Sequence, residues 1–509
     1  MSRRAAPLTV LLALAVSGCT SAAPTTTAVP EAPAAAATST TAPTTTIPAS
    51  TTTTTTTTTT MAPTTTAVGF AEVEGIGDSY FPTLGNPGYD VANYHLDLTF
   101  DPATGTLTSL VTIAAAATSD LARFNLDFIG FEITELTVDA APALWDRTTE
   151  ELTVEPPAPI AAGEDFVVTV AYHGKPVATT SSAIPLNVGW STVNGQSYVV
   201  AEPDAARTWF PCNDHPADKA AFTFRITVPD GTTAAANGEH IETVTDVGAS
   251  TWVWELDELM APYLATVVIG DFSIVPDDSG PDIGGVAIRN VLPPDLAAAP
   301  PGALDQQAEM IEFFSERFGP YPFDEYGIAI VDGFPAALEN QTLSVFGRGF
   351  AESPDFEIVL VHELAHQWFG DVVSLAQWKD IWLNEGFASY AEWLWIEAQF
   401  GEEALALGIE QERQAFAAFG LPPPGSPPAG DLFNGSVYRV GAMTLHALRL
   451  TVGDENFFDI LRSYVDRFAG GVASTDDFIG VASEVSGEDM RPLFEAWLYG
   501  DEIPAFPTP

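Results

Sequence analysis

Between about residues 80 and 300, apolar and polar positions alternate with a period of two in short runs at 94–100, 166–172, 221–228 and 251–256, separated by Gly, Pro, Asn and Asp. A period of two sends successive side chains to opposite faces, so these runs predict half-buried strands. Several in succession predict an antiparallel sandwich or saddle-like domain. The pattern then turns helical, predicting helices over 304–318, 356–370, 382–400, 402–419, 436–451 and 456–468, with more near 475–485 and 490–499. One strand, 326–331, lies among them. The fold class is therefore α+β and multidomain: an N-terminal antiparallel β domain at 69–274, then a mainly helical domain at 275–509.

Residues 1–68 follow neither pattern. Arg3 and Arg4 precede an apolar run from Leu8 to Val16, too short to span a bilayer, and then Ser17-Gly18-Cys19. That order predicts a signal peptide over 1–18. Its end resembles the bacterial lipobox, which implies cleavage before Cys19, lipidation of its thiol and anchoring to the outer face of a bacterial cell membrane. Ordinary secretory cleavage is the alternative. Residues 19–68 are rich in Thr, Ala and Pro, include ten consecutive threonines from Thr51 to Thr60, and carry Glu31 as their only charge. Such a composition cannot form a core and predicts an extended tether.

Charge narrows the partners. The 509 residues hold 18 Lys+Arg against 68 Asp+Glu, a net charge of −50. A polyanion without a basic patch does not suit nucleic acid or an anionic membrane surface, so the lipid at Cys19 is the one membrane contact expected. A hydrophobic content of 46% rules out disorder of the whole chain. Only three lysines occur, Lys175, Lys219 and Lys379. An acid-rich, Lys-poor surface suits brine, and it equally suits a generically acidic exported protein. With Cys19 lipidated, Cys212 has no disulfide partner and is expected as a small buried hydrophobe.

The candidate chemistry begins at His362-Glu363-Leu364-Ala365-His366. Residues four apart on a helix emerge on one face, one turn apart, so both imidazoles can reach one zinc ion. Glu363 lies beside them, where a carboxylate can activate water. A zinc site needs a third protein ligand, and Glu385, 19 residues after His366 at the start of the next predicted helix, is placed to return to the same point. Trp378, Asp380 and Trp382 are expected as packing and helix-start residues.

The run His362–Asp371 followed by Trp382-Leu383-Asn384-Glu385-Gly386-Phe387-Ala388 resembles the zinc metallopeptidases related to aminopeptidase N and leukotriene hydrolase. Ala336-Ala337-Leu338-Glu339-Asn340 resembles that family's exopeptidase motif. Glu202-Pro203, Ala206-Arg207 and Phe210-Pro211-Cys212-Asn213-Asp214 resemble the signature ending its β domain, and Tyr438-Arg439-Val440-Gly441-Ala442 the segment of its catalytic tyrosine. The motifs run in family order over roughly 85–505.

The resemblance implies a thermolysin-like catalytic domain and a zinc aminopeptidase acting on peptides with free N-termini. It implies one zinc on His362, His366 and Glu385, with Glu363 as general base and Tyr438 as donor to the oxyanion. Glu339 and Glu202 would bind the α-ammonium, with Asn340 beside Glu339 and the backbone of Ala336 and Ala337 along the substrate. The sequence departs from the family where Ala336 replaces Gly, where Val200 replaces a glutamine two residues before Glu202, and where Val440 replaces a lysine. Only about 125 residues follow Glu385, which implies the shorter, two-domain form without a C-terminal helical domain. A zinc endopeptidase of relaxed specificity, and an inactive member serving as a surface binding module, are the alternatives.

Overall fold

The computed structural model describes residues 75–277 and 283–507. The expected signal peptide, the tether and Cys19 lie outside the described residues. No helix among the described residues is long and apolar enough to cross a membrane.

The first half is built on an eight-stranded sheet. Its centre is Tyr89–Asp101, antiparallel to Thr106–Ala117 and parallel to Ala220–Pro229. The alternation seen in the sequence becomes register here. Tyr94, Leu96 and Leu98 pair with Phe222, Phe224 and Ile226, and all six are buried. From the same strand, Phe100 reaches a second, five-stranded sheet, its ring 5.0 Å from that of Trp190. Gln196–Val200 of that second sheet is buried along its whole length and leads directly into Glu202. Cys212 is buried with no disulfide partner among the described residues, and burial pushes its thiol well up.

The second half holds a sheet of which the hydrophobic pattern predicted one strand, 326–331. A mixed sheet runs Ser273–Pro276, Ala287–Leu292, Ile328–Val331, Ser344–Gly347, Ala337–Leu338. Its inner strands are short and buried on both faces, so they carry no alternation to read. The strand expected over 326–331 is broken at Gly327, where a Cβ would fall 1.5 Å from the Arg289 carbonyl oxygen. Ala337–Leu338 is an edge strand, and it delivers Glu339 to the site.

Helices cover the rest. Trp382–Phe400 and Glu402–Phe419 have the expected bounds, each ended by a glycine with positive φ, Gly401 at +91° and Gly420 at +64°. The two helices expected over 436–451 and 456–468 are both present within Gly435–Phe468, separated at Gly453, whose φ of +78° and ψ of 163° are not helical. The helix expected over 356–370 is shorter, Phe356–Ala365. Helices Trp382–Phe400 and Gly435–Phe468 cross at Gly386 and Gly441, where a Cβ on Gly386 would meet Gly441 backbone at 3.0 Å. That close approach sets Glu385 and Tyr438, one residue before one glycine and three before the other, across from each other.

The halves are tied by buried polar contacts. Lys219 Nζ donates to the carbonyl oxygens of Asp371 (2.7 Å) and Val372 (3.0 Å). Asp78 accepts from the amides of Tyr80 (2.7 Å), Phe81 (3.1 Å) and Trp378 (2.8 Å), and its other contact is His215 Nε2 at 3.1 Å. Burial opposes charge on Asp78, but His215 and these amides hold its carboxyl down at about 2. A depressed folded-state value adds stability above the unfolded value of 3.8, and that stability is lost as pH falls through the folded value. Asp78→Asn should therefore destabilise by about 2 kcal/mol at neutral pH. The difference between the two proteins should shrink from pH 4 towards pH 2, as denaturant titrations at each pH will measure.

Candidate active site

His362 and His366 leave one face of the Phe356–Ala365 helix and its C-cap, with ring centroids 4.8 Å apart. The helix stops early because the chain winds back on His366: Phe369 O accepts from His366 Nδ1 at 3.0 Å, and Asp371 N donates to His366 O. Gly370, at φ +135°, lies where a Cβ would meet Asn384 at 3.2 Å. Glu385, in the first turn of Trp382–Phe400, places one oxygen 3.1 Å from His362 Nε2 and 3.4 Å from His366 Nε2.

The donor set fits a zinc ion. His362, His366 and Glu385 each offer one ligand atom, all within 4.8 Å of one another, and all three residues are buried. A carbonyl oxygen can only accept, so His366 carries its proton on Nδ1 and turns the Nε2 lone pair towards Glu385. Glu392 does the same for His362, with Oε1 at 2.8 Å from Nδ1. Burial opposes charge on both rings, yet Glu385 and Glu392 hold His362 well above its usual range, and Glu385 and Glu339 raise His366. Groups that draw a proton so strongly also draw a cation.

Glu363 and Tyr438 face the same point. Glu363 lines the cavity, and burial first, then Glu339 and Glu385, push its carboxyl up to about 8 against the pull of both histidines. The Tyr438 ring stacks 6.0 Å from that of His362, and burial among carboxylates drives its phenol well up.

Glu202 and Glu339 complete the cavity from the two halves of the chain. Both are buried, and Oε1 of each has no hydrogen-bond partner among the described residues. Burial raises Glu202 well above the carboxylate range, with Glu339 and Glu385 adding to it, and burial likewise raises Glu339. Ala336 and Ala337 also line the cavity, of about 190 Å³. Asn340 is not on its wall: its side-chain amide donates to Leu264 O at 2.9 Å and so fixes the strand that carries Glu339.

Three residues at this centre escaped the sequence reading. Glu392 follows Glu385 by seven residues, two turns along the same helix face, and that spacing was the available signal. Arg439 donates to the free oxygen of Glu392 at 3.0 Å and lies 3.4 Å from Glu412. Gln367 donates to Glu339 O at 3.0 Å and accepts from Thr342 N at 2.9 Å, linking the histidine-bearing segment to the Glu339 strand. Arg439 and Gln367 stand inside the motifs quoted above, but nothing along the chain names their partners.

The family comparisons agree with this geometry. Residues 302–497 match the peptidase family M1 domain, and 91–264 match the peptidase M1 N-terminal domain. An M1 zinc metallopeptidase from Deinococcus radiodurans, solved with a Tyr-Ser-Ala substrate, is 34% identical with a TM-score of 0.79, covering 86% of this chain and 100% of that one. Aminopeptidase N of Streptomyces lividans is 28% identical over 435 residues, 79% of this chain and 49% of its own length. Aminopeptidase M1-B of Oryza sativa is 29% identical over 313 residues, 57% of this chain and 35% of its own. The chain thus spans between a third and a half of the curated relatives it matches. Two matched domains in family order, on a fold shared along the full length of a solved member, make this chain a member of the peptidase M1 family.

Proposed function

We propose that the chain is a zinc-dependent aminopeptidase that removes N-terminal residues from peptides. The observation that carries this reading is the pair of unpartnered carboxylate oxygens, on Glu202 and Glu339, in the same cavity as the His362, His366 and Glu385 donors. Two buried carboxylates with a free oxygen each call for a cation, and a substrate's α-ammonium supplies it.

His362, His366 and Glu385 would hold the zinc, which when bound polarises the substrate carbonyl and makes water a better nucleophile. Glu363 takes a proton from the attacking water and returns it to the departing amine, a role favoured by its raised affinity for protons. Tyr438 donates its hydroxyl to the oxyanion that forms on the carbonyl. Ala336 and Ala337 lie alongside the peptide backbone. The sequence of residues 1–68 supports export and a lipid anchor at Cys19.

Glu363→Ala should lower kcat at least about 100-fold while bound zinc, measured by atomic absorption after dialysis, stays near one per chain. Glu339→Ala should raise KM for peptides with free N-termini and narrow their advantage over N-acetylated ones. Rapid cleavage of N-acetylated peptides by the unmodified enzyme would instead favour an endopeptidase. Zinc binding without hydrolysis of either would favour the binding module.

Glu392 orients His362 and is itself held ionised: burial works against its charge, but Arg439 and His362 keep its carboxyl below the usual range. Glu392→Gln should weaken zinc retention by roughly 10–100-fold in a chelator competition.

A further inference from the structure

We infer that the β domain holds a divalent cation of calcium type between Asp127, Glu151 and Asn86, none of which lines the peptidase cavity. Asp127 ends the strand Phe124–Asp127, Glu151 begins the strand Glu151–Glu155, and the two residues stand directly opposite each other. Opposite residues on paired strands have Cβ atoms about 5 Å apart, so two carboxylates share one small space. Asn86 joins them from the segment before the first strand. Its Nδ2 donates to Asp127 Oδ2 at 3.1 Å. Burial pushes the Glu151 carboxyl up to about 7, with Glu150 adding to it, against Arg207 and a hydrogen bond with Asn86.

Each of the three offers an oxygen that no donor serves. Asp127 Oδ1, Glu151 Oε2 and Asn86 Oδ1 are buried atoms without a hydrogen-bond partner among the described residues. The amide oxygen is the telling one. Asn86 is only 2% exposed, and its Nδ2 is committed to a carboxylate, which fixes which end of the amide is oxygen. A proton shared between the two carboxylates would leave that oxygen unsatisfied, whereas a cation satisfies all three. Arg207 does not take this place: it pairs with Asp204 at 3.2 Å, and its Nε and Nη1 reach no acceptor among the described residues.

The donor chemistry selects the ion. Two carboxylates and an amide oxygen, with no sulfur or imidazole, suit a hard cation, and backbone carbonyls and water complete the roughly six to eight ligands that calcium takes. Burial first, then Glu151, push the Asp127 carboxyl up to about 8, although its Oδ2 accepts from Gly85 N, Asn86 Nδ2 and Asp214 N. A divalent ion relieves that repulsion directly. It also fastens the entering segment. Asn86 lies eight residues after Asp78, whose carboxyl accepts from the Trp378 amide of the catalytic half.

The test uses the zinc-loaded full chain and calcium chloride in about 0.3 M KCl, which screens weak binding to the acidic surface. Equilibrium dialysis read by atomic emission should show one saturable calcium per chain. Glu151→Gln and Asp127→Asn should each weaken it at least about tenfold, with zinc content unchanged. Saturating calcium should raise the unfolding midpoint of the unmodified protein by roughly 3–5 °C and leave that of Glu151→Gln unmoved. Without calcium, Glu151→Gln should match or exceed the unmodified protein in stability, because it removes a like-charge contact. No saturable calcium in the unmodified protein, or equal binding and equal stabilisation in Glu151→Gln, overturns the site and leaves the peptidase reading intact. Should Asp127→Asn fail to fold, Glu151→Gln decides alone, since its side chain is only half-buried.

Discussion

One oxygen of Glu385 faces two imidazole nitrogens at 3.1 and 3.4 Å, and much of the catalytic half serves to hold that arrangement. Two like-facing lone pairs and a carboxylate converge only if each ring is locked from behind. Glu392 locks one and the Phe369 carbonyl the other. Behind Glu392 stands Arg439, and beside Arg439 stands Glu412, so the lock is anchored in four successive elements of the helical half. A buried ion pair of this kind is weak evidence for stability. Its value here is orientation.

The same constraint explains the close crossing of the Glu385 and Tyr438 helices. Glycine on both sides, at 386 and 441, brings the backbones into contact. Any side chain there would push Glu385 and Tyr438 apart. The tie between Gln367 and the Glu339 strand works along the other axis, holding Glu339 against the histidine-bearing segment.

Charge links these local arrangements to the whole molecule. Most of the −50 lies on the folded domains, since residues 19–68 carry a single acid. Only a few of those acids are buried in the site, and their carboxyls are pushed in opposite directions: Glu385 and Glu392 below the usual range, Glu202, Glu339 and Glu363 above it. The first pair contacts histidines or arginine. The other three share a low-dielectric cavity with one another, where they oppose each other's ionisation.

What the sequence determined by itself was whatever depends on neighbours along the chain. The spacing of His362 and His366 puts them on one helix face through helix geometry alone, and Gly401 and Gly420 end their helices through backbone freedom alone. Alternation marked the exposed-face strands of the β half. Of the mixed sheet the sequence marked only 326–331, because its inner strands are buried on both faces and have no polar side. The early end of the Phe356–Ala365 helix was equally hidden, because the cause is a carbonyl four residues beyond it folding back onto a histidine. Glu392, Arg439 and Gln367 are, in the sequence, three polar residues among many. Only the tertiary structure makes them partners, since burial removes the water that would otherwise satisfy each one and leaves it no choice but the group across from it.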